Sequence, residues 1–417
     1  MELQLERLHK SEQAAYLLRG IYEQYGYRKY RMGKFEEYDF YTEHKDFLPS
    51  GQILTFTDLD GKLMALKPDV TMSIVKRTRA TKAAPERLYY SESIYRPSRE
   101  AHEYREIAQI GVEYIGRVTA HTDAELVTLA LKSLACIEDD FILDVSHNGF
   151  LSGLFESVNA SREAKRDILR CIETKNRHEL AALLLAHGID AAQGESLSAL
   201  LSLGGGGGMR DDGNSMSGRR GGNGGNNVGD GNGMSGGNGL AGAMAEVRRL
   251  AVNGPMRAAA DELAALFDVF DGDPLAKSLR LDFSLALDSA YYNGLMFRGY
   301  VRSAPRAVLS GGRYDPLLRR MGVADLEAIG FAVYLDEVEA SLPQPMCSDC
   351  DAVVLYPEHA SPALLRRAVE GLITKGLRVR AQAIGDADGT EAARVVYDLA
   401  ADGTLVEKPR PYGGTHD

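Results

Sequence analysis

Tyr104-Arg105-Glu106-Ile107-Ala108-Gln109-Ile110-Gly111-Val112-Glu113 runs into a strand over Ile107 to Ile115, and Arg87 to Tyr95 supplies the strand before it. Upstream, Leu54 and Phe56 alternate with polar residues, and Asp58-Leu59-Asp60-Gly61 turns the chain into Leu63-Met64-Ala65-Leu66, a β-hairpin over Ile53 to Leu66. A short helix is predicted over Thr71 to Arg79. A longer one over Ser11 to Tyr25 places Ala14, Leu17, Leu18, Ile21 and Tyr22 at helical spacing and stops at Gly26. Downstream, helical periodicity covers Thr122 to Cys136, Ser161 to Ala186 and Leu240 to Leu266. Arg280 to Leu287 and Leu295 to Val301 then read as strands flanking Tyr291-Tyr292-Asn293-Gly294. Ser310-Gly311-Gly312-Arg313-Tyr314-Asp315 reads as a glycine turn before a short helix and the apolar run Ile329-Gly330-Phe331-Ala332-Val333. Beyond Pro343 and Pro345, strand Asp351 to Tyr356, helix Ser361 to Lys375 and strand Leu377 to Ala381 form a βαβ-like unit, with a weaker strand near Arg394 to Tyr397. Hairpins first and α/β alternation last predict an α+β protein, an antiparallel sheet flanked by helices with a small C-terminal α/β module.

Gly204 to Gly239 stands apart, with 17 glycines in 36 residues and almost nothing apolar. Such a run buries too little surface to offset ordering entropy and reads as a disordered insertion. Its glycines follow no strand, which argues against a dinucleotide-binding loop. The expected organisation is a core domain over residues 1–340, carrying a helical insertion over about 120–270, and a small module over 350–417.

Bulk composition narrows the function. The 44% apolar and 26% charged shares are those of an ordinary globular protein. No stretch approaches the ~20 apolar residues needed to span a bilayer, and Met1-Glu2-Leu3-Gln4 lacks signal character, so a cytoplasmic location is expected. A net charge of −11 without a long basic run argues against a large nucleic-acid footprint. Four scattered cysteines make no disulfide framework. Cys347-Ser348-Asp349-Cys350 has knuckle spacing, but a structural zinc needs two more ligands and no second Cys or His pair lies nearby.

Three segments carry chemistry: Lys67-Pro68-Asp69-Val70-Thr71; Tyr95-Arg96 with Tyr104 to Glu113; and Ala290-Tyr291-Tyr292-Asn293-Gly294 with Gly311-Gly312-Arg313-Tyr314-Asp315. Their order and spacing resemble those of the histidyl-tRNA synthetases, class II aminoacyl-tRNA synthetases, across about residues 5–340. The resemblance implies a histidine pocket in which Asp69 and Thr71 hold the ammonium and Gln109 orients the amino-acid moiety. Glu113 and Tyr292 would bind the imidazole from either side, with Tyr291 packed nearby and Arg96 close to the α-phosphate end. The residue types suit the task, since a carboxylate accepts from N–H and a phenol donates or accepts. Taken singly, Asp69 also reads as a helix cap, Glu113 as a solvated strand residue, and the two tyrosines as sheet cover.

The same resemblance implies a broken ATP site. Leu287 and Glu337 fall where the family has phosphate-directed arginines, and Tyr334 falls where it has a glycine. Losing one group that stabilises developing charge costs on the order of 10²–10³ in rate. A kept histidine pocket beside a broken ATP site is similar to the regulatory subunits of short-form ATP phosphoribosyltransferase, the first enzyme of histidine biosynthesis. Asp69 and Val70 also suit that group, since synthetases usually carry Glu and Gly there. The resemblance then implies a homodimer within a hetero-oligomer, partnered by the short catalytic subunit. Free histidine would be the effector, with no cofactor, membrane or tRNA involved. An active histidyl-tRNA synthetase is the competing reading. Gly33-Lys34-Phe35-Glu36 departs from the first class-defining motif, which has proline before Phe-Glu.

Overall fold

The computed structural model describes residues 8–48, 52–98, 103–174, 176–189, 194, 196–200, 238–288, 291–340, 350–386 and 393–408. The glycine-rich segment falls outside them up to Asn238, where a helix begins. Cys347 falls outside them too. The chain divides into Met1–Leu342 and Pro343–Asp417.

The first unit is built on an eight-stranded sheet. Its strands are β1 (Arg28–Lys29), β5 (Glu86–Ser98), β6 (Glu103–Gly116), β7 (Phe141–His147), β8 (Leu279–Leu281), β9 (Leu295–Val301), β10 (Leu309–Arg313) and β11 (Glu327–Tyr334). Their order is β1-β5-β6-β11-β10-β9-β7-β8. All neighbours are antiparallel except β1 with β5 and β7 with β8. A second, antiparallel sheet, β2-β4-β3, joins β2 (Phe35–Glu37), β3 (Thr55–Thr57) and β4 (Leu63–Leu66).

On one face of the large sheet, Ile110, Val112, Phe297 and Phe331 join Leu18, Tyr22, Leu126 and Leu263 in a single buried core. These last four come from helices Lys10–Gln24, Ala120–Ile137 and Gly254–Val269. Burying each such side chain stabilises the fold by about 1.5–3 kcal/mol relative to exposure. The opposite face carries a second core, with Tyr41, Ala65, Val70, Met72, Tyr90 and Tyr314. Because side chains alternate along a strand, the packing of Ile110 and Val112 on the first face sends Gln109, Gly111 and Glu113 to the second.

Several elements differ from the sequence expectation. The predicted turn Ser310-Gly311-Gly312-Arg313 is the central strand β10, paired on both sides. A Cβ at Gly311 would lie 2.3 Å from the Phe331 Cβ, and one at Gly312 would lie 2.9 Å from the Tyr292 ring. These glycines serve close packing, not turning. The strand expected over Arg280 to Leu287 ends at Leu281, and a 3-10 helix follows over Phe283–Asp288. Each of two long helices is a pair. Ser161 to Ala186 breaks before Asn176, whose side chain accepts from the Glu179 amide. Leu240 to Leu266 breaks at Asn253, which caps Gly254–Val269 with Pro255 in its first turn. Strand β7 and the following helix Asn148–Ser157 lie where the sequence reading predicts no element.

The second unit holds β12 (Ala352–Tyr356), β13 (Val379–Ala383), β14 (Val395–Leu399) and β15 (Leu405–Glu407), in the order β13-β12-β14-β15. Strand β12 pairs parallel with β13, as the crossover helix Pro362–Thr374 requires, and also parallel with β14, and β15 adds an antiparallel edge. Among the described residues, no helix is long and apolar enough to cross a membrane.

Candidate functional site

The register of β6, β11 and β10 lays the floor of a cavity. Gly330 sits opposite Glu113, Ala332 opposite Gly111, and Tyr334 opposite Gln109. Gly312 in turn pairs with Gly330. A Cβ at Gly330 would stand 1.8 Å from Glu113 Oε2, so this glycine lets the carboxylate lie flat across the sheet. The walls come from the loop after β4, the Tyr291-Tyr292 loop, and Asp46-Phe47-Leu48. The cavity holds about 350 Å³, and all seven residues expected in a histidine pocket line it: Asp69, Thr71, Arg96, Gln109, Glu113, Tyr291 and Tyr292.

Glu113 lies at the bottom, 2% exposed. Thr71 Oγ1 donates to its Oε1 at 2.7 Å, and the Tyr314 hydroxyl donates to its Oε2 at 2.6 Å. Burial pushes its pKa up to about 8, with the nearby charge of Asp69 adding to the shift and the two hydroxyls opposing it. Asp69 is a cap and a wall at once. Its Oδ1 accepts from the Met72 amide at 2.8 Å, while its Oδ2 lies 3.3 Å from Arg96 Nη2. Burial raises its pKa, opposed first by Arg96 and then by the backbone donors of Met72 and Thr71. Arg96 is committed locally, since its Nε also donates to the Pro68 carbonyl at 2.7 Å. Tyr291 packs on Tyr292 with ring centres 4.9 Å apart at 71°, and it meets Tyr314 at 5.9 Å and Phe47 at 6.2 Å.

Tyr90, Ser310, Tyr314, Gly330 and Phe47 also line the cavity and were not singled out as site residues. Because Ser310 to Arg313 extends as a strand where a turn is expected, Tyr314 follows it with its hydroxyl on Glu113. Tyr334 lines the cavity as well. Glu337, on helix Leu335–Ala340, is outside the described lining, and its carboxylate lies 3.7 Å from Arg306 Nη1. Leu287 falls in the 3-10 helix Phe283–Asp288, with its side chain outside the described residues.

The charge balance of the lining limits what it can hold. Asp46, Asp69 and the carboxyl of Glu113, largely protonated in the empty cavity near pH 7, face one basic residue, Arg96, among the described lining residues. Such a site favours a ligand with a cationic group and disfavours a polyphosphate. At 350 Å³ it also lies at the small end of ligand pockets, which run from roughly 300 to 1,000 Å³. A group able to hold a metal ion is not found among the described residues, and Cys350 is a buried free thiol.

A family model described as "Histidyl-tRNA synthetase" matches residues 1–219 and 234–338. The chain belongs to the histidyl-tRNA synthetase family. Within the reach of that family, the ATP phosphoribosyltransferase regulatory subunit of Clostridium kluyveri is 26% identical over 349 residues, which are 82% of this chain and 80% of that protein. A solved structure described as an ATP phosphoribosyltransferase regulatory subunit/histidyl-tRNA synthetase from Bacillus halodurans superimposes with a TM-score of 0.68 at 21% identity, covering 93% of each chain. A chain of the ATP phosphoribosyl transferase (HisG:HisZ) complex from Thermotoga maritima gives a TM-score of 0.56 at 17% identity, over 78% of this chain and 97% of that one. At these identities the two structures establish the synthetase-like fold of this family member.

Proposed function

We propose that this chain is the non-catalytic regulatory subunit of a short-form ATP phosphoribosyltransferase, required for the activity and histidine feedback of the first step of histidine biosynthesis. The observation that carries the reading is the cavity itself, acidic and tyrosine-lined, with Arg96, the one arginine among its described lining residues, already bound to Asp69 and Pro68. Free histidine fits its chemistry. The ammonium goes to Asp69 and Thr71, and the Gln109 amide orients the backbone of the ligand. The ring lies between Glu113 and the Tyr292 phenol, with Tyr291 behind it. Curated relatives carrying the regulatory-subunit name across most of their length support the assignment.

Adenylation requires cations on a developing phosphorane. The described lining offers Arg96 alone, which is held by neighbours, and Glu337 brings a negative charge where the family has an arginine. We therefore infer that synthetase activity is lost and that tRNA is not a substrate. The protein acts as a homodimer within a hetero-oligomer whose catalytic chains are the short-form enzyme. The test is co-purification with that catalytic subunit, followed by an assay of the transferase with and without this chain. A stable complex with raised activity is expected. Two non-interacting proteins, with activity indifferent to this chain, would overturn the proposal.

A further inference from the structure

The Tyr291-Tyr292 loop is held from behind by side chains that do not line the cavity. Asn148, 6% exposed, donates from Nδ2 to the Tyr292 carbonyl at 2.5 Å, and its own amide donates to the Gly294 carbonyl at 2.9 Å. Across the same loop, Asn293 Nδ2 donates to Asp315 Oδ2 at 2.9 Å, and the Asp315 amide returns a bond to Asn293 Oδ1 at 3.0 Å. Asp315, 2% exposed, also accepts from Arg313 Nε and from the Ala328 amide. Asp315 thus accepts three hydrogen bonds and is fixed to strand β11 through the Ala328 amide. Asn148 is the tether on the other side, and it follows His147 at the start of helix Asn148–Ser157.

His147 ties that tether to helix Gly254–Val269. Its Nδ1 accepts from the Gly149 amide at 3.2 Å, which leaves the proton on Nε2, and Nε2 faces Glu262 Oε2 at 3.0 Å on helix Gly254–Val269. Two hydrogen bonds, Glu262 to His147 and Asn148 to the Tyr292 carbonyl, are thus joined by the peptide bond between His147 and Asn148, linking helix Gly254–Val269 to the tyrosine loop. We infer that Asn148 is a positioning residue of the histidine pocket, setting the Tyr291-Tyr292 pair against Glu113 and linking its placement to helix Gly254–Val269. The inference rests on the reading of the cavity as a histidine site. Its physical basis is geometric: the Tyr292 ring fills the space left by Gly312, with 2.9 Å between the ring and a Cβ built there. A displaced loop has no equivalent seat for the phenol.

The experiment is a double-mutant cycle read by calorimetric titration of free histidine into the full chain. Asn148→Asp places a carboxylate oxygen against the Tyr292 carbonyl, so affinity should fall on the order of tenfold. Asn148→Ser keeps a donor and should fall less. If Asn148 acts through the tyrosine, its substitution should cost less than about twofold once Tyr292→Ala is in place. Asn253→Ala is the structural control. It removes the cap of helix Gly254–Val269, which carries Glu262, and the 2.7 Å bond to the Gly153 carbonyl, so it should lower the melting temperature without changing histidine affinity. Multiplying losses from Asn148→Asp and Tyr292→Ala, or equal losses from Asn148→Asp and Asn253→Ala, would overturn the inference while leaving the pocket reading intact. A wild-type chain that binds no histidine would overturn both.

Discussion

Replacing Glu113 by Gln should stabilise the free protein while weakening its ligand. The shape is kept, and the Thr71 and Tyr314 hydroxyls that now donate to the carboxylate can each accept from an amide. What disappears is the cost of a buried charge. The carboxyl titrates at about 8 in the folded chain against an ordinary value of 4.5, so between these pH values the folded state holds a proton that the unfolded state has released. Stability from this group is therefore complete below pH 4.5 and is lost as pH rises toward 8. At pH 7 the difference is 7 − 4.5 = 2.5 pH units, and at 1.36 kcal/mol per unit this is roughly 3 kcal/mol. Urea unfolding of wild type and Glu113→Gln at pH 5, 6, 7 and 8.5 should give curves that converge at the acidic end. They should separate steadily, to roughly 3 kcal/mol in favour of the variant at pH 7 and roughly 4.5 kcal/mol at pH 8.5, with unchanged m-values. Histidine binding should move the other way, because a protonated Glu113 must release its proton to accept from the ring. Wild-type affinity should be lower at pH 5.5 than at pH 7.5, and the variant should bind weakly at both, by ~1.5–3 kcal/mol for a lost charge-assisted bond. Stability differences that stay constant across the pH range would refute the argument, since they would mean that the carboxyl is not buried as a titrating group.

Asp69→Asn separates capping from binding: Asn still accepts from the Met72 amide, so the melting temperature should change little, while calorimetry should show histidine affinity falling about tenfold or more. Gly330→Ala should abolish histidine binding and destabilise the fold by about 1–3 kcal/mol in urea unfolding, because the new methyl occupies the position of Glu113 Oε2. Histidine-dependent pyrophosphate exchange with ATP should be absent, and robust exchange would show that the missing arginines are supplied from elsewhere.

How legible the site was depended on the kind of signal. The strands β5, β6 and β9 and the terminal βαβ unit were readable because apolar runs and turn residues punctuate them. Asp69, Thr71, Gln109, Glu113 and Tyr292 were readable because they stand in short motifs at family spacing, although they lie on elements far apart in the chain. Strand β10 was not readable, because Ser310-Gly311-Gly312 looks like a turn locally and is extended only because Phe331 and Tyr292 demand the space above it. The double role of Asp69 was half visible, since its cap to Met72 follows from sequence while its contact with Arg96 needs the sheet to bring the two together. The tether through Asn148 had no sequence signal at all. It depends on β7 lying beside β9, a pairing between segments more than a hundred residues apart.

The central claim is tested most directly by titrating histidine into the transferase assay of the complex reconstituted from this chain and the short catalytic subunit, with wild-type chain in one series and Glu113→Gln in the other. The account predicts that both chains support activity, that histidine inhibits the wild-type complex, and that the inhibition curve of the Glu113→Gln complex shifts to at least tenfold higher histidine. Identical inhibition curves would contradict it, because feedback would then be read on the catalytic subunit and not in the cavity around Glu113.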